Sequence, residues 1–279
     1  MKAGLPNNFI LNGFDRSGTS AIARVLSTHP EIELIMQPFN SGSIREKLYR
    51  VLDDTNTSAE DYDFFSKLEQ GVLERSYIRS HWHEKYSTVS EFVPDRLHLI
   101  KTTQNHLTIT WIKRHFPRIE LWGIWREPMD ILASLVRNDF HISWYAGAAT
   151  GLIETVRACE PLRAEFGMFI DDLANPVREM AFNIATRSWY YFSHLDPGKT
   201  LSYELFRRDP QAAFAPLLAY FGLSGCEFER QEETDLNIVG ERYIPGSSHV
   251  DCIAQQDQAF CEKLFRPLYN VPAIRELSS

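Results

Sequence analysis

The sequence is short of cysteine and of long apolar runs. Its four cysteines, Cys159, Cys226, Cys252 and Cys261, include no CxxC pair, so neither a zinc site nor a disulfide framework is indicated among its 279 residues. No run approaches the roughly 18 uninterrupted apolar residues that span a bilayer, which argues against a membrane protein. Because a strand is predicted from Phe9, we also expect no signal peptide or membrane anchor and a cytoplasmic location.

Positive charge is also scarce. The 37 acidic side chains outnumber the 29 basic ones, which gives a net charge of −8. Long polyanions bind through clustered lysines and arginines, so we expect no nucleic acid partner and no heavily charged polysaccharide. Of the basic residues, 21 are arginine and only 8 are lysine. Arginine presents a planar fork that matches phosphate and sulfate oxygens, although genomic base composition explains the same bias equally well.

Short apolar segments alternate with helical ones along the chain. We predict strands at residues 9–12, 97–101, 119–125 and 200–203. We predict helices at residues 20–28, 128–140, 152–166, 177–194 and 210–221, and a helical stretch through Trp111 to His115 after the second strand. This βαβ pattern predicts an α/β protein with a central parallel sheet flanked by helices, in a single domain over residues 1–279. Residues 53–92 are predicted as helices and loops over one end of the sheet, and no structure is predicted for residues 225–253.

A glycine-rich segment lies between the first predicted strand and the first helix. It reads Gly13-Phe14-Asp15-Arg16-Ser17-Gly18-Thr19-Ser20, which has the Gly-x4-Gly spacing of a phosphate-binding loop. A strand, a loop and a helix in this order direct backbone N–H groups and the helix N-terminus at an anion. Thr19 replaces the lysine that contacts a nucleoside triphosphate, and no strand clearly ends in an aspartate suited to Mg²⁺. The segment therefore predicts a P-loop-like phosphate site with Arg16 as its cation and no metal, the alternative being a structural turn.

A second candidate anion site follows the third predicted strand. Arg126 stands where that strand ends, and Ser134 lies about two helical turns further on. Ligands of parallel sheets bind at the carboxyl ends of the strands, so an arginine and a hydroxyl in these positions can share a phosphate. Taken alone, an arginine at a strand end also fits an ordinary ion pair.

Together the two segments resemble the cofactor motifs of the sulfotransferases that use 3′-phosphoadenosine-5′-phosphosulfate (PAPS). The first resembles that family's 5′-phosphosulfate loop, which reads Arg or Lys, then Ser-Gly-Thr, then Thr or Ser. The second is similar to its 3′-phosphate motif, Arg-x-Pro-x-Asp followed by a serine. Two further segments, Ile100-Lys101-Thr102 and Ser202-Tyr203-Glu204-Leu205, extend the resemblance, which covers roughly residues 9–223.

The resemblance implies catalytic and binding roles for the matching residues. Arg16 would neutralise charge on the oxygen that links sulfate to phosphate, and Lys101 would balance charge on the sulfuryl oxygens. The 5′-phosphate would be held by Ser17, Gly18, Thr19 and Ser20. The reaction implied is in-line transfer of the sulfuryl group, with PAP as the product and no metal.

The same resemblance implies a 3′-phosphate site. Arg126 and Ser134 would bind the 3′-phosphate, and Tyr203 would lie beside the nucleotide. Arg242 lies where the family often has a late basic loop, and it is a possible third contact to this phosphate.

The general base does not follow the family pattern. One branch of the family has a histidine directly after Lys-Thr, where this chain has Thr103, and another has a glutamate where this chain has Gln37. Neither side chain takes a proton near neutral pH, although both can hydrogen-bond an acceptor. Other candidates by residue type are His106, His81, His83 and Glu84. Alternatively, the acceptor needs little help from a base, or the chain binds PAPS without efficient turnover.

Two segments, residues 53–92 and 140–175, are predicted as helical insertions on the acceptor side. They hold groups of aromatic residues, namely Tyr77, Trp82, Tyr86, Phe92, Phe140, Trp144 and Tyr145. With a net charge of −8, the acceptor is expected to be small and neutral or cationic, such as a natural product or an alkaloid-like metabolite. The competing functions are a catalytically inactive PAPS-binding protein and, less consistent with the missing lysine, a P-loop kinase or NTPase. No oligomeric state is predicted.

Overall fold

The computed structural model describes residues 8–40, 49–73, 96–137, 142–223, 226–228 and 249–277. Its strands are β1 (Asn8–Asn12), β2 (Ile32–Met36), β3 (Leu97–Thr102), β4 (Glu120–Trp125) and β5 (Thr200–Ser202). They form one five-stranded sheet in the order β2-β3-β1-β4-β5, and every neighbouring pair is parallel. The predicted α/β fold with a central parallel sheet is therefore confirmed.

The helices alternate with the strands along most of the chain. They are α1 (Thr19–Leu26), α2 (Ala59–Gln70), α3 (Ile109–His115), α4 (Pro128–Arg137), α5 (Ile142–Ala158), α6 (Glu160–Phe166), α7 (Pro176–His194), α8 (Tyr203–Arg208), α9 (Pro210–Phe221), α10 (Gln255–Tyr269) and α11 (Pro272–Arg275). Short polar side chains cap the N-termini of several helices. Ser58 caps α2. Asn175 caps α7 and Asp209 caps α9, and a proline follows each of these two residues.

The sheet is covered on both faces. In β1, Phe9 and Leu11 join the apolar cluster on one face, while Ile10 joins the cluster on the other, as the two-residue period of a strand requires. Helices α1 and α9 supply the first cluster, and α4, α7 and α10 contribute to the second. Burial on both faces explains why the strands read as nearly continuous apolar runs. Among the helices in the described ranges, none has both the length and the apolar character needed to cross a membrane.

The structure differs from the sequence prediction at two strands. The sequence patterns do not predict β2, a five-residue strand that pairs with β3 at the edge of the sheet. The predicted strand at residues 200–203 ends one residue earlier, because Ser202 caps α8 through a hydrogen bond from the backbone N–H of Leu205. Tyr203 is therefore the first residue of a helix.

Two helical regions also differ. The single helix predicted at residues 152–166 is two helices, α5 and α6, because Pro161 in the first turn of α6 has no N–H to continue the preceding helix. Helix α10 is not predicted, although its apolar residues recur at helical spacing. Of the predicted insertion at residues 53–92, the structure describes α2, and residues 74–95 lie outside the described part.

Gly123, in the middle of β4, tests the close packing of the sheet against α7. A Cβ atom at this position would lie 2.6 Å from Phe192 Cε1 and 2.9 Å from Leu195 Cδ2. We expect Gly123→Ala to lower the free energy of unfolding by about 1–3 kcal/mol, because both side chains are buried in the core and would have to shift to admit the added methyl group. Urea denaturation monitored by circular dichroism measures the change.

Gly151→Ala is the matched control. In α5, the nearest atom to an added Cβ is Tyr49 Cβ at 3.8 Å, which is ordinary van der Waals contact. Alanine favours a helix over glycine, so we expect this variant to gain about 0.5–1 kcal/mol. Equal stabilities for the two variants would contradict the close packing described for β4.

Candidate functional site

Residues predicted to be functional follow the carboxyl ends of all five strands. Gly13 comes directly after β1, Gln37 after β2, Thr103 after β3, Arg126 after β4 and Tyr203 after β5. Because the strands are parallel, these residues lie at one edge of the sheet. The topology thus brings together segments that are far apart in the sequence.

The loop between β1 and α1 has an unusual backbone. Gly18 is left-handed, with a φ of 85°, and so is Arg16, with a φ of 67°. An arginine in this region of φ is uncommon and strained, and such residues often mark functional sites. Gly13 is enclosed, because a Cβ there would lie 2.7 Å from both Ser17 Oγ and Thr19 Cγ2. The loop therefore requires its two glycines for different reasons, one for conformation and one for space.

The loop presents polar groups at the start of α1. Gly18 is the N-cap of α1, and no side chain caps the helix there. Ser17 is fully buried, and its hydroxyl has no hydrogen-bond partner among the described residues. Thr19 is buried and Ser20 half-buried in the first turn. Free N–H groups at a helix start and an unpartnered buried hydroxyl are suited to an anion.

Tyr203 packs directly against this loop. A Cβ on Gly18 would lie 2.2 Å from two carbon atoms of the Tyr203 ring, so the ring occupies the space beside the glycine. On the ring, the guanidinium carbon of Arg126 lies 4.6 Å from the ring centroid, which is a cation–π contact. The residue after β5 thus connects the loop after β1 to the arginine after β4.

The two anion motifs predicted from the sequence are in direct contact. Nη1 of Arg126 donates a hydrogen bond to the carbonyl oxygen of Arg16 at 2.6 Å. Nε of Arg16 donates to Ser134 Oγ at 3.2 Å. Nε of Arg126 is buried and has no partner among the described residues. The structure therefore places Arg16, Arg126 and Ser134 in one polar group, with donor capacity left on Arg126.

Lys101 is a buried cation at this edge. Its side chain is 2 % exposed, and among the described residues its ammonium group has no hydrogen bond and no ion pair. Burial lowers the pKa of Lys101 from 10.5 to about 8, and the negative charge of Asp15 opposes this shift. A buried ammonium without a paired carboxylate is unfavourable unless an anion joins it.

Gln37 and Thr103 both lie close to the backbone of Lys101, Gln37 by a hydrogen bond and Thr103 by its place two residues further along the chain. The N–H of Gln37 donates to the Lys101 carbonyl oxygen at 2.7 Å, and Gln37 has a positive φ of 48°. Thr103 is buried, and its carbonyl oxygen accepts a hydrogen bond of 2.8 Å from Arg187 Nη2. Arg16 and Gln37 are the described residues other than glycine with a positive φ, and both lie at the carboxyl edge.

His106 lies in an environment that disfavours the role of a base. The side chain is buried, and its Nδ1 lies 3.1 Å from Nη2 of Arg187. A guanidinium group only donates, so Nδ1 is the acceptor and carries no proton. Burial and then the charge of Arg187 hold the pKa of His106 well below 6.5, so the ring does not take up a proton near neutral pH. The lowered pKa makes His106 a weak base, so this environment disfavours the role of base that the residue type suggested.

Arg187 is the buried cation that the sequence patterns did not single out. This residue of α7 is 1 % exposed, donates to Asn183 Oδ1 at 3.1 Å, and lies over the rings of Phe14 and Tyr49. No carboxylate pairs with it among the described residues. It is spaced three residues after the buried Ile184 and four before the buried Tyr191, which is the spacing of one helix face. That spacing is the signal that could have located it.

Several predicted residues fall outside the described part of the chain. They are Arg242, His81, His83, Glu84, Tyr77, Trp82, Tyr86, Phe92 and Phe140, together with the side chains of Trp144 and Tyr145. Within the described ranges, no three His, Cys, Asp or Glu side chains lie close enough together to hold a metal ion.

The parallel sheet, its left-handed loop and the two joined arginine motifs define a P-loop-like α/β protein with a candidate anion site at the carboxyl edge. A sequence model of the sulfotransferase family matches residues 8–227, which include the loop, Lys101, Arg126, Ser134 and Tyr203. The chain belongs to the sulfotransferase family. Membership of this family supports a sulfotransferase activity.

Two solved structures are similar to this chain. A sulfotransferase from Alicyclobacillus acidocaldarius has 17% sequence identity and a TM-score of 0.45, covering 97% of this chain and 96% of its own. The sulfotransferase STF1 from Mycobacterium tuberculosis H37Rv has 13% identity and a TM-score of 0.45, covering 94% of this chain and 77% of its own. No curated protein matches the sequence.

The buried ammonium of Lys101 makes a testable prediction about stability. A pKa lowered from 10.5 to about 8 corresponds to roughly 3 kcal/mol against folding at neutral pH. We therefore expect Lys101→Met to raise the free energy of unfolding at pH 7, by on the order of 2 kcal/mol, because methionine fills the same space without a charge. Between pH 8 and 10 the unfolded chain binds more protons than the folded one, so the wild type gains stability and the difference shrinks.

Urea denaturation from pH 6.5 to 9.5 measures this difference, with Lys199→Met as the control. Lys199 Nζ lies 2.6 Å from a Glu120 oxygen and 3.2 Å from an Asp196 oxygen, so its loss should destabilise the protein at every pH in this range. A stability difference for Lys101→Met that does not change with pH would contradict the lowered pKa.

Proposed function

We propose that this protein is a PAPS-dependent sulfotransferase. It transfers the sulfuryl group of PAPS to a hydroxyl or nitrogen of a small acceptor by in-line displacement and releases PAP. The observation that carries this proposal is the contact between the two motifs: Arg126 and Arg16 lie 110 residues apart in the sequence, and Ser134 and Arg16 lie 118 apart, yet both pairs are hydrogen-bonded. A donor with a phosphate at each end needs both motifs at one place.

The chemistry of the residues present fits such a donor. The buried hydroxyl of Ser17 and the buried Nε of Arg126 have no hydrogen-bond partner among the described residues, and Lys101 is buried with only the charge of Asp15 named as opposing its lowered pKa. Each is a donor of hydrogen bonds to an anion, and two of the three carry positive charge. PAPS bears a 3′-phosphate and a 5′-phosphosulfate, so it supplies the negative charge and the acceptor oxygens that these groups lack.

The proposed roles are those that the family resemblance implies for these residues, and their grouping at one edge of the sheet supports them. Arg16, in the loop, stabilises charge on the oxygen that leaves the sulfuryl group, and Lys101 binds the sulfuryl oxygens. Residues 17–20 hold the 5′-phosphate at the N-terminus of α1. Arg126 and Ser134 bind the 3′-phosphate, and Tyr203 lies beside the nucleotide, where its ring contacts Gly18. Positioning and electrostatic stabilisation of this kind account for most catalysis of such transfers, and they require no metal.

We do not assign the removal of the acceptor proton to His106, because its lowered pKa makes it a weak base. Thr103 and Gln37 offer a hydroxyl and an amide at the same edge, and these orient an acceptor without taking its proton near neutral pH. We therefore propose either a base among His81, His83 and Glu84 or an acceptor whose nucleophile needs little help. Because the net charge is −8, we propose a small neutral or cationic metabolite as the acceptor, acting in the cytoplasm, and no nucleic acid partner.

A binding and transfer experiment tests the function. PAP without metal should raise the melting temperature, whereas ATP with Mg²⁺ should not, because the loop lacks the lysine of an NTPase. Incubation with PAPS and a panel of phenols, alcohols, amines and carbamates should add a sulfonate mass to a neutral or cationic member. Binding of PAP without transfer to any acceptor would favour a nucleotide-binding protein that lacks turnover, and stabilisation by ATP with Mg²⁺ alone would contradict the proposal.

Gly18 provides a second prediction with a matched control. Gly18→Ala places a Cβ against the Tyr203 ring in a left-handed residue, so we expect a loss of PAP affinity of about tenfold or more as the ring is displaced. Gly198 has a similar φ of 77°, but nothing lies within 4 Å of an added Cβ. Gly198→Ala should share the backbone strain and keep its PAP affinity within about twofold. Isothermal calorimetry measures both, and equal affinities would contradict the place of Tyr203 in the site.

A further inference from the structure

We propose that Arg126 is a positioning residue for the loop after β1 as well as a ligand of the 3′-phosphate. The conformation of Arg16, at the 5′ end of the nucleotide, would then depend on a residue of the 3′-phosphate site. This inference rests on the proposed function, and it goes further, because two separate phosphate contacts would not require any link between them.

The first reason is the backbone of Arg16. A left-handed arginine is strained and persists only where its surroundings hold it. The bond from Arg126 Nη1 to the Arg16 carbonyl oxygen is 2.6 Å long and comes from a charged donor, so it is a strong contact at the strained residue. Without it, the peptide that follows Arg16 loses a charged hydrogen-bond donor that helps to fix its orientation.

The second reason is that Arg126 reaches the loop by another route. Its guanidinium lies over the ring of Tyr203, and that ring packs on Gly18. Arg126 therefore supports the loop on both sides of Ser17, whose buried hydroxyl we assign to the 5′-phosphate. The Arg16 side chain is held by the same motif, through Ser134 on α4.

The consequence is a coupling between the two ends of the nucleotide. Only one N–H of Arg126 is used by the Arg16 carbonyl, and the buried Nε remains a donor for the 3′-phosphate. A phosphate bound there restrains the guanidinium and, through it, the loop. By thermodynamic linkage, a 3′-phosphate then strengthens binding of the 5′ end by the factor that the 5′ end strengthens binding of the 3′-phosphate.

Nucleotides that lack the 3′-phosphate provide the test. The affinities of PAP and of 5′-AMP are measured by calorimetry for the wild type, for Arg126→Gln and for Arg208→Gln. Arg208 is an exposed residue at the end of α8, so its variant removes the same charge without touching the loop. If Arg126 positions the loop, Arg126→Gln should weaken 5′-AMP by about tenfold, although this ligand has no 3′-phosphate, and Arg208→Gln should change it by less than about twofold.

A measurement without ligand keeps the test independent of binding. Hydrogen exchange of the amides at residues 13–20 should be faster in Arg126→Gln than in the wild type or in Arg208→Gln, with thermal unfolding checked to show that each variant is folded. Arg126→Lys should restore slow exchange in part, because an ammonium donates to one carbonyl but does not form a fork with a phosphate.

The outcomes separate the two proposals. If Arg126→Gln weakens PAP but leaves 5′-AMP affinity and loop exchange unchanged, Arg126 is a 3′-phosphate ligand only, and the coupling is wrong while the proposed function stands. If the wild type binds neither PAP nor PAPS, the proposed function fails, and the exchange rates alone decide whether Arg126 positions the loop.

Discussion

The site depends on the burial of positive charge at one edge of the sheet without matching carboxylates. Lys101 and Arg187 are almost fully buried, and Arg126 has a buried Nε, yet none of the three forms an ion pair with a described residue. Removing charge from water costs several kcal/mol unless an opposite charge or hydrogen bonds compensate. Arg187 is compensated by a carbonyl, an amide, an imidazole and two aromatic rings. Lys101 has the charge of Asp15 near it but forms no hydrogen bond with a described residue, so an anionic ligand would compensate it further. A chain with a net charge of −8 thus has a local positive site inside an acidic whole.

The parallel sheet is what makes this site possible. Strands β1, β4 and β5 are adjacent in the sheet, so the segments that follow them meet although they are far apart in the sequence. Strain is concentrated at the same edge, in the left-handed Arg16 and Gln37. The contacts of Arg126 and Tyr203 with the loop supply the support that such a backbone needs. The loop, the arginine and the tyrosine therefore form one unit rather than three separate ligands.

The parts of the site that could be predicted are those encoded by short spacings. Two glycines, an arginine and hydroxyls between a strand and a helix indicate a phosphate loop, and the arginine after β4 is recognisable because a buried strand precedes it. The strand β2 was missed because it is only five residues long. Arg187 cannot be distinguished from other helical arginines unless its spacing from the buried residues of α7 is considered. His106 was a candidate base by residue type alone. Its contact with Arg187 joins residues 81 positions apart, and no local pattern contains that information.

The central claim is that the unpaired ammonium of Lys101 faces an anion of the donor. The pKa of Lys101 can be measured directly by NMR with ¹³C-labelled lysine, with the signal assigned by its loss in Lys101→Met. In the free protein we expect a pKa of about 8, below the usual 10.5, because of burial. With PAP and sulfate bound, or with a non-transferable analogue of PAPS, we expect the pKa to rise, because a neighbouring anion favours the charged form. A saturating analogue that leaves the pKa of Lys101 unchanged would contradict the account.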